Sequence, residues 1–585
     1  MTVIVAHGQR LTQLVDPTPV ECALRVDPFS SHGAGAAWTN MGTGTTNWGR
    51  SMELGRNRVL LVAIALVFIA VYAWLHLRAA FTLPLPWPDE PDFLWPAIAL
   101  ARDGSLLAPE MNRELHMMWM PPGFMVFTAG WIWLFGFSLE LVRALSAALI
   151  VTFFCAIVLM LRRHQAPLAS TLLCGLFLLD AHFVAAGNVG RMEALLLAVL
   201  GLGLWRLSRD DVITGMCVLS ITPIIHPNGL YFVLASLLFV VISGLAAQRW
   251  RDLRRSELQG SSRISPLEWL SLLVVLACWL SYATYIAFHF DEFTFQIGAQ
   301  LQRKLERSND LRTLRLSDYA LAVSLTTAFV YGLVQRERGR LILLLSCVAA
   351  GSWCCRFIGG EMWYQIFYQV TLLFTSLCLL ELGSRVLSRA LPNVPKLLLT
   401  AGLPLVLLAG LFGTRTLPFP PGLPDRLSFY YMRTAPSGAR VDPWEMDQVA
   451  AKLRRFGDCR ERVVIRVDPP ADALFLYERL SDTNLLFSTP PWLLVRAGNK
   501  DSRYRVPRWD IFVVHVDRYV FPFARQMRKM AQKAAGIEPG SDEKLLIRNN
   551  ADSAWYLNER ERQTANKCGS EQDSIRNVLE DRGRS

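Results

Sequence analysis

Several short stretches of this sequence carry ionisable residues that could do chemistry, and each stands beside a long apolar run. The first is Trp87-Pro-Asp-Glu-Pro-Asp-Phe-Leu-Trp-Pro96, in which Asp89 and Glu90 are adjacent carboxylates. A carboxylate within reach of an acceptor hydroxyl can take its proton as general base, with a neighbour to orient the substrate. The same residues would also serve a helix start, with Asp89 or Glu90 as N-cap, Pro91 as first helical residue and Asp92 in the first turn.

The second stretch is His116-Met-Met-Trp-Met-Pro-Pro-Gly123, where His116 could hydrogen-bond a phosphate or an acceptor and the two prolines suit the opening of a helix. The third is Asn188-Val-Gly-Arg-Met-Glu193. Arg191 and Glu193 fall at a membrane boundary, where ionisable groups are costly unless they pair or line a wet cavity; a snorkelling Arg and a helix-start Glu are the plainer reading. The fourth, His226-Pro-Asn-Gly229, breaks the chain between two apolar runs and reads equally as a turn. In the fifth, Trp353-Cys-Cys-Arg-Phe-Ile-Gly-Gly-Glu-Met-Trp-Tyr364, Arg356 and Glu361 flank a turn. The guanidinium of Arg356 has the donor fork that suits an anionic phosphate.

The elements that must position these residues are membrane-spanning helices. Of the 585 residues, 52% are hydrophobic and 19% charged, against about 25% charged in a soluble domain. Mean hydropathy is +0.28. Runs such as Val59–Ala80, Ala144–Leu161 and Leu267–Phe288 are almost free of charge and meet the requirement of about 20 apolar residues for a crossing. Roughly eleven spans fit the pattern, near 59–81, 139–161, 168–187, 192–207, 212–226, 229–247, 266–290, 317–335, 341–357, 365–387 and 397–414.

The expected fold is therefore a polytopic α-helical membrane body, 59–414, behind a disordered cytoplasmic N-terminus, 1–58. After it the tail alternates apolar strand-like runs (Val463–Val467, Ile511–Val516, Lys544–Arg548) with helical ones (Trp444–Phe456, Pro522–Ala535). That alternation predicts an α/β domain over 415–570, followed by a loose end, 571–585. Met52 is a possible alternative start.

Basic residues favour the cytoplasmic side. With residue 58 inside, the clusters Arg162-Arg163, Arg206 to Arg209, Arg249 to Arg263, Arg336 to Arg340 and Arg385 to Lys396 all fall inside. The large loop 82–138, the turn at Gly187–Arg191, the loop 291–316 and everything after 415 then fall outside, so the C-terminal domain is extracytoplasmic. The one conflict is 291–316, which carries Arg303, Lys304, Arg307, Arg312 and Arg315. Pro121–Gly136 is apolar but short, which predicts a helix dipping into the outer leaflet rather than crossing it. All the candidate site residues share this outer face. The net charge of +11 is scattered between spans, so it is assigned to positive-inside loops and not to nucleic acid. Most of the 11 cysteines lie in apolar runs, and no CxxC or zinc-type Cys/His spacing occurs. Cys459 and Cys568 stand in the tail, where an oxidising compartment would let them pair.

The order of these pieces resembles the GT-C superfamily of membrane glycosyltransferases, in the branch holding protein O-mannosyltransferase-like enzymes and lipid A aminoarabinose transferases. The resemblance rests on Asp89-Glu90 after the first span, Pro121-Pro122-Gly123, the stretch Ser138 to Arg143 opening the second span, Arg191-Met-Glu193, and His226-Pro, and covers roughly 55–415. It implies an inverting transfer of a sugar from a polyprenyl-phosphate carrier to a cell-envelope acceptor at the outer face of a bacterial inner (plasma) membrane. Asp89 would be the base with Glu90 beside it, Arg191 and Glu193 would lie on the cavity wall, and Arg356 would meet the donor phosphate. His226, Glu361 and His116 are the remaining candidates for the donor and acceptor surroundings. The partners implied are membrane lipid, the lipid-linked sugar donor and a glycan, lipid or protein acceptor. No metal and no cofactor is required, because the donor brings its own leaving group. Two departures stand out: Glu193 where relatives often have Asp, and Met120 before the double proline where many have Lys or His. The rival readings are a transporter or lipid flippase and a non-catalytic scaffold. The lack of an internal repeat and the clustering of polar groups at one face speak against transport.

Overall fold

The computed structural model describes residues 59–74, 76, 90–112, 115–163, 167–251, 265–306, 316–357, 365–390, 443–468, 472–489, 509–516, 544–548, 554–559 and 561–568. Asp89, Glu361, the expected span 397–414 and the expected helix Pro522–Ala535 lie outside these residues, as do 1–58 and 571–585.

The described body is built of helices. It begins with α1 (Val59–Trp74), followed by α2 (Glu90–Asp103), α3 (Gly123–Phe135), α4 (Leu139–Met160), α5 (Pro167–Leu178), α6 (Ala181–Gly187) and α7 (Met192–Leu207). Next come α8 (Val212–Ser220), α9 (Thr222–Ile225), α10 (Gly229–Arg251), α11 (Pro266–Phe288), α12 (Phe290–Glu306), α13 (Leu316–Val334), α14 (Arg336–Phe357) and α15 (Gln365–Ala390). The core lies where α4 packs along α7, α7 on α8, and α14 between α10, α13 and α15.

Among the described residues, α4, α11 and the stretch Ile366–Arg385 of α15 are each long and apolar enough to cross a bilayer. α11 makes the case most clearly. Ser265 and Glu268 close a capping box at its start, and none of its 23 residues is buried. Such an apolar surface is costly in water and is solvated by lipid. The chain is a membrane protein.

Three expected elements differ in detail. The span expected over 168–187 is two helices, because Asp180 turns its Oδ1 to the His182 N–H at 2.9 Å and starts α6 afresh. The span expected over 212–226 also breaks. Pro223, in the first turn of α9, cannot donate the backbone bond that would continue α8. The expected loop 291–316 is largely the helix α12. It was hidden by its charge, since it is apolar along one face only and opens on Asp291 and Glu292. Of the adjacent Cys354 and Cys355 on α14, Cys355 is buried and Cys354 is exposed.

α3 is seated by a glycine. A Cβ on Gly123 would lie 2.6 Å from the backbone oxygen of Ile224 and 3.2 Å from Ile225 Cα. The double-proline motif thus delivers α3 onto the turn that ends in His226. Gly123→Ala is expected to lower stability by about 1–3 kcal/mol through overpacking. The melting temperature of the detergent-solubilised protein would report it, and an unchanged value would show that Ile224 gives way freely.

The C-terminal part is α/β. α16 (Pro443–Arg454), β1 (Val463–Asp468), α17 (Asp472–Leu480), β2 (Leu485–Ser488), β3 (Ile511–Val516), β4 (Lys544–Arg548), β5 (Ala554–Glu559) and α18 (Glu561–Cys568) follow in order. The sheet order is β2-β1-β3-β5-β4, parallel across β2, β1 and β3 and antiparallel across β3, β5 and β4. Cys459 and Cys568 form a disulfide across 109 residues. Beside it Lys567 Nζ donates to Asp510 Oδ2 at 2.6 Å, and the same oxygen accepts the Val464 N–H at 2.7 Å.

This sheet region docks on the body through α17. Tyr477 stands edge-on to Trp95 of α2 at 5.1 Å and 5.7 Å from Phe137. The Thr489 N–H donates to the backbone oxygen of Glu110 at 2.8 Å, while Arg102 Nη1 donates to the Glu110 side chain at 3.1 Å. Burial pushes the Glu110 carboxyl above the usual range, against the pull of Arg102. Burial and the nearby Glu140 carboxylate do the same to Glu478, against Ser138, the Leu139 backbone and Arg479. Both acids hold their protons more tightly docked than undocked. Docking is therefore strongest below the ordinary carboxylate range and weakens as pH rises through the raised values. Hydrogen exchange in α17 is expected to rise across that window, and Glu478→Gln to flatten the rise. A flat profile in the wild type would contradict this.

Candidate active site

Glu90 opens α2 and has no exposed surface. Arg143 lies in the second turn of α4, where Nη2 donates to Glu90 Oε2 at 3.1 Å and Nε to Oε1 at 3.4 Å. The Gly190 N–H donates to the same Oε1 at 2.6 Å. A Cβ at residue 190 would lie 3.1 Å from that oxygen and 3.0 Å from Val142 Cγ1, so glycine is what lets the backbone reach the carboxylate. Burying either charge alone would cost several kcal/mol. Together they tie the starts of α2 and α4 to the turn before α7.

That turn holds the second pair. Arg191 Nε donates to Glu193 Oε2 at 3.1 Å and Nη2 to Oε1 at 2.9 Å, a fork-to-fork contact with both side chains about 5–6% exposed. Arg191 Cζ also stands 5.2 Å from the Phe93 ring of α2. The plainer reading of a snorkelling Arg does not describe this geometry, since the guanidinium points into protein and is answered there.

His226 is fully buried. Its Nδ1 accepts the Asn228 N–H at 3.0 Å, closing the turn ahead of α10, which leaves Nε2 to carry the proton in the neutral ring. His226 lies within electrostatic reach of Glu193 and 5.8 Å from the Phe367 ring. Two buried ion pairs, Glu90–Arg143 and Arg191–Glu193, are thus joined through the Gly190–Arg191 backbone, with His226 within electrostatic reach of Glu193. Backbone at Arg356 belongs to α14, but its side chain is outside the described set, as is Glu361, so neither is tied to the cluster.

His116 keeps different company. Its ring lies tilted against that of His289, centroids 4.0 Å apart, and Glu292 Oε2 lies 3.8 Å from His116 Nδ1 and 3.2 Å from His289 Nδ1. Gln296 of α12 clips the segment in place, accepting the Met118 N–H at 2.7 Å and donating to the His116 carbonyl at 2.8 Å. Burial and the facing His289 lower the His116 pKa to about 4, so its imidazole is neutral near pH 7. The ligand atoms of His116, His289 and Glu292 fall within 4.8 Å of one another, a set that could hold a divalent ion. The sequence reading missed His289, Glu292 and Gln296, which lie in a stretch of mixed polarity with no spacing signal. It also missed Arg143 as the partner of Glu90, because 53 residues separate them.

The fold that carries this cluster has a solved counterpart. The chain superposes on a crystal structure of the aminoarabinose transferase ArnT from Cupriavidus metallidurans bound to undecaprenyl phosphate, with a TM-score of 0.50 and 16% sequence identity, over 86% of this chain and 98% of that one. Identity at that level shows a common fold and no more. Apo ArnT from the same organism (TM-score 0.42, 15% identity, 88% of this chain and 98% of that one) and the archaeal oligosaccharyltransferase AglB from Archaeoglobus fulgidus, in complex with an inhibitory peptide and a dolichol-phosphate (0.41, 11%, 77% and 69%), are also similar, at scores too low to carry an argument. No known family profile and no curated protein sequence matches the chain.

Proposed function

We propose that the protein is an inverting glycosyltransferase that moves a sugar from a polyprenyl-phosphate carrier to a cell-envelope acceptor at the outer face of the membrane. The observation that carries this reading is the joining of the buried pairs Glu90–Arg143 and Arg191–Glu193 through the Gly190–Arg191 backbone, with His226 within electrostatic reach of Glu193, within a fold whose solved example holds undecaprenyl phosphate.

Asp89 is the base. Glu90 is a poor choice for it, since its carboxylate already takes hydrogen bonds from Arg143 and Gly190. The neighbouring Asp89 precedes this pinned residue directly in the chain. An acceptor hydroxyl attacks the anomeric carbon from the face opposite the phosphate. The new C–O bond forms as the bond to the phosphate oxygen breaks, the hydroxyl proton passes to Asp89, and the polyprenyl phosphate leaves with the electron pair. Arg191 and His226 receive the growing phosphate charge, with Glu193 holding the Arg191 fork in place. No metal enters this scheme. The C-terminal α/β domain is extracytoplasmic and contributes to acceptor recognition.

Donor binding is tested with undecaprenyl phosphate itself. It is expected to raise the melting temperature of the purified wild type, and the Arg191→Gln variant to lose most of that shift. An equal shift in both would remove Arg191 from the donor site.

A further inference from the structure

The C-terminal domain reaches the cluster directly. Phe475 of α17 has no exposed surface, and Arg143 Cζ stands 5.8 Å from its ring centroid. The guanidinium therefore lies near the Phe475 ring as well as bonding to Glu90. The same helix sets Tyr477 against Trp95, one turn beyond Glu90 on α2, and Glu478 against Ser138 and Leu139 at the start of α4. α17 thus seats on the two helices that supply the buried ion pair, although more than three hundred residues separate it from them in sequence.

We infer that Phe475 is a positioning residue for the reaction, acting through Arg143 on Glu90 and so on the adjoining base. The physical case has two parts. An aromatic face within about 6 Å of a guanidinium attracts it, and more strongly once water is excluded. A buried ring near the guanidinium also keeps the local dielectric low, which strengthens the Arg143–Glu90 attraction. Without the ring, water reaches the guanidinium, the pair loosens and the start of α2 gains freedom. Positioning errors of this kind reduce the rate far more than the affinity. The docked domain is then part of the catalytic apparatus and not a separate appendage.

This inference rests on the transferase reading, and its test keeps the two apart. Phe475→Ala, Phe475→Leu and Val449→Ala would be compared with wild type in intact membranes. Val449 is a buried residue of α16 in the same domain and controls for general loss of stability. The first readout is labelling of Glu90 by carbodiimide and glycinamide, followed by mass spectrometry. Phe475→Ala is expected to raise it severalfold, Phe475→Leu to raise it little because bulk remains, and Val449→Ala to leave it unchanged, with the Cys459–Cys568 bond intact in each. The second readout is transfer from a labelled polyprenyl-phosphate sugar. Phe475→Ala is expected to lower kcat about tenfold with KM for the donor little changed, and Phe475→Leu to recover most of it. Unchanged Glu90 labelling in Phe475→Ala would overturn the inference, as would equal labelling in Val449→Ala. If the wild type transfers nothing, the transferase reading fails, and the labelling still decides whether Phe475 positions Glu90.

Discussion

Asp89→Asn is expected to lower sugar transfer by about two to four orders of magnitude, the usual worth of a general base, with the folded protein and its donor affinity unchanged. The substitution keeps size and capping ability and removes the proton acceptor alone. Nothing else in the cluster can replace it cheaply, because Glu90 is held by Arg143 and Gly190 and Glu193 by both nitrogens of the Arg191 fork. The loss should appear in kcat and not in KM. It should also lessen at high pH, where the acceptor hydroxyl ionises more readily. A Glu90→Gln variant that loses as much activity while folding normally would move the base to Glu90.

Arg143→Ala is expected to destabilise the protein by about 3–5 kcal/mol, the cost of leaving a buried carboxylate without its partner. Glu90 has no exposed surface and Arg143 is 7% exposed, so solvent cannot take over the lost role. Removing both partners together, as in the double variant Glu90→Gln/Arg143→Met, should restore much of the stability, since no lone charge is then buried. Denaturation of wild type, Glu90→Gln, Arg143→Met and the double variant in detergent completes the cycle. Additive losses in the double variant would show that the two side chains do not interact.

How much of this could be seen in the sequence depends on the range of the signal. Arg191, Glu193 and His226 were legible because an ionisable residue at the edge of an apolar run is costly, and so draws attention by type alone. The helices were legible where apolar runs are long, as in α4, α7 and α11. Their breaks at Asp180 and Pro223 were not, because a buried polar cap inside an apolar run leaves the hydropathy high. α12 is hidden for the opposite reason: its charges outweigh the one apolar face that marks a helix. The pairing of Glu90 with Arg143, the grouping of His116 with His289 and Glu292, and the seat of Phe475 on Arg143 all join distant parts of the chain. No periodicity reports such contacts, and only the packed structure brings them together.

The central claim is covalent transfer of a sugar, and the most direct measurement follows radiolabel from a polyprenyl-phosphate sugar in membranes containing the wild type or the Asp89→Asn variant at equal expression. The account predicts that wild type moves label from the lipid phosphate onto an acceptor with inverted anomeric configuration, and that the variant leaves it on the lipid. Label that crosses the membrane but stays on its carrier, in wild type and variant alike, would contradict it and identify a flippase.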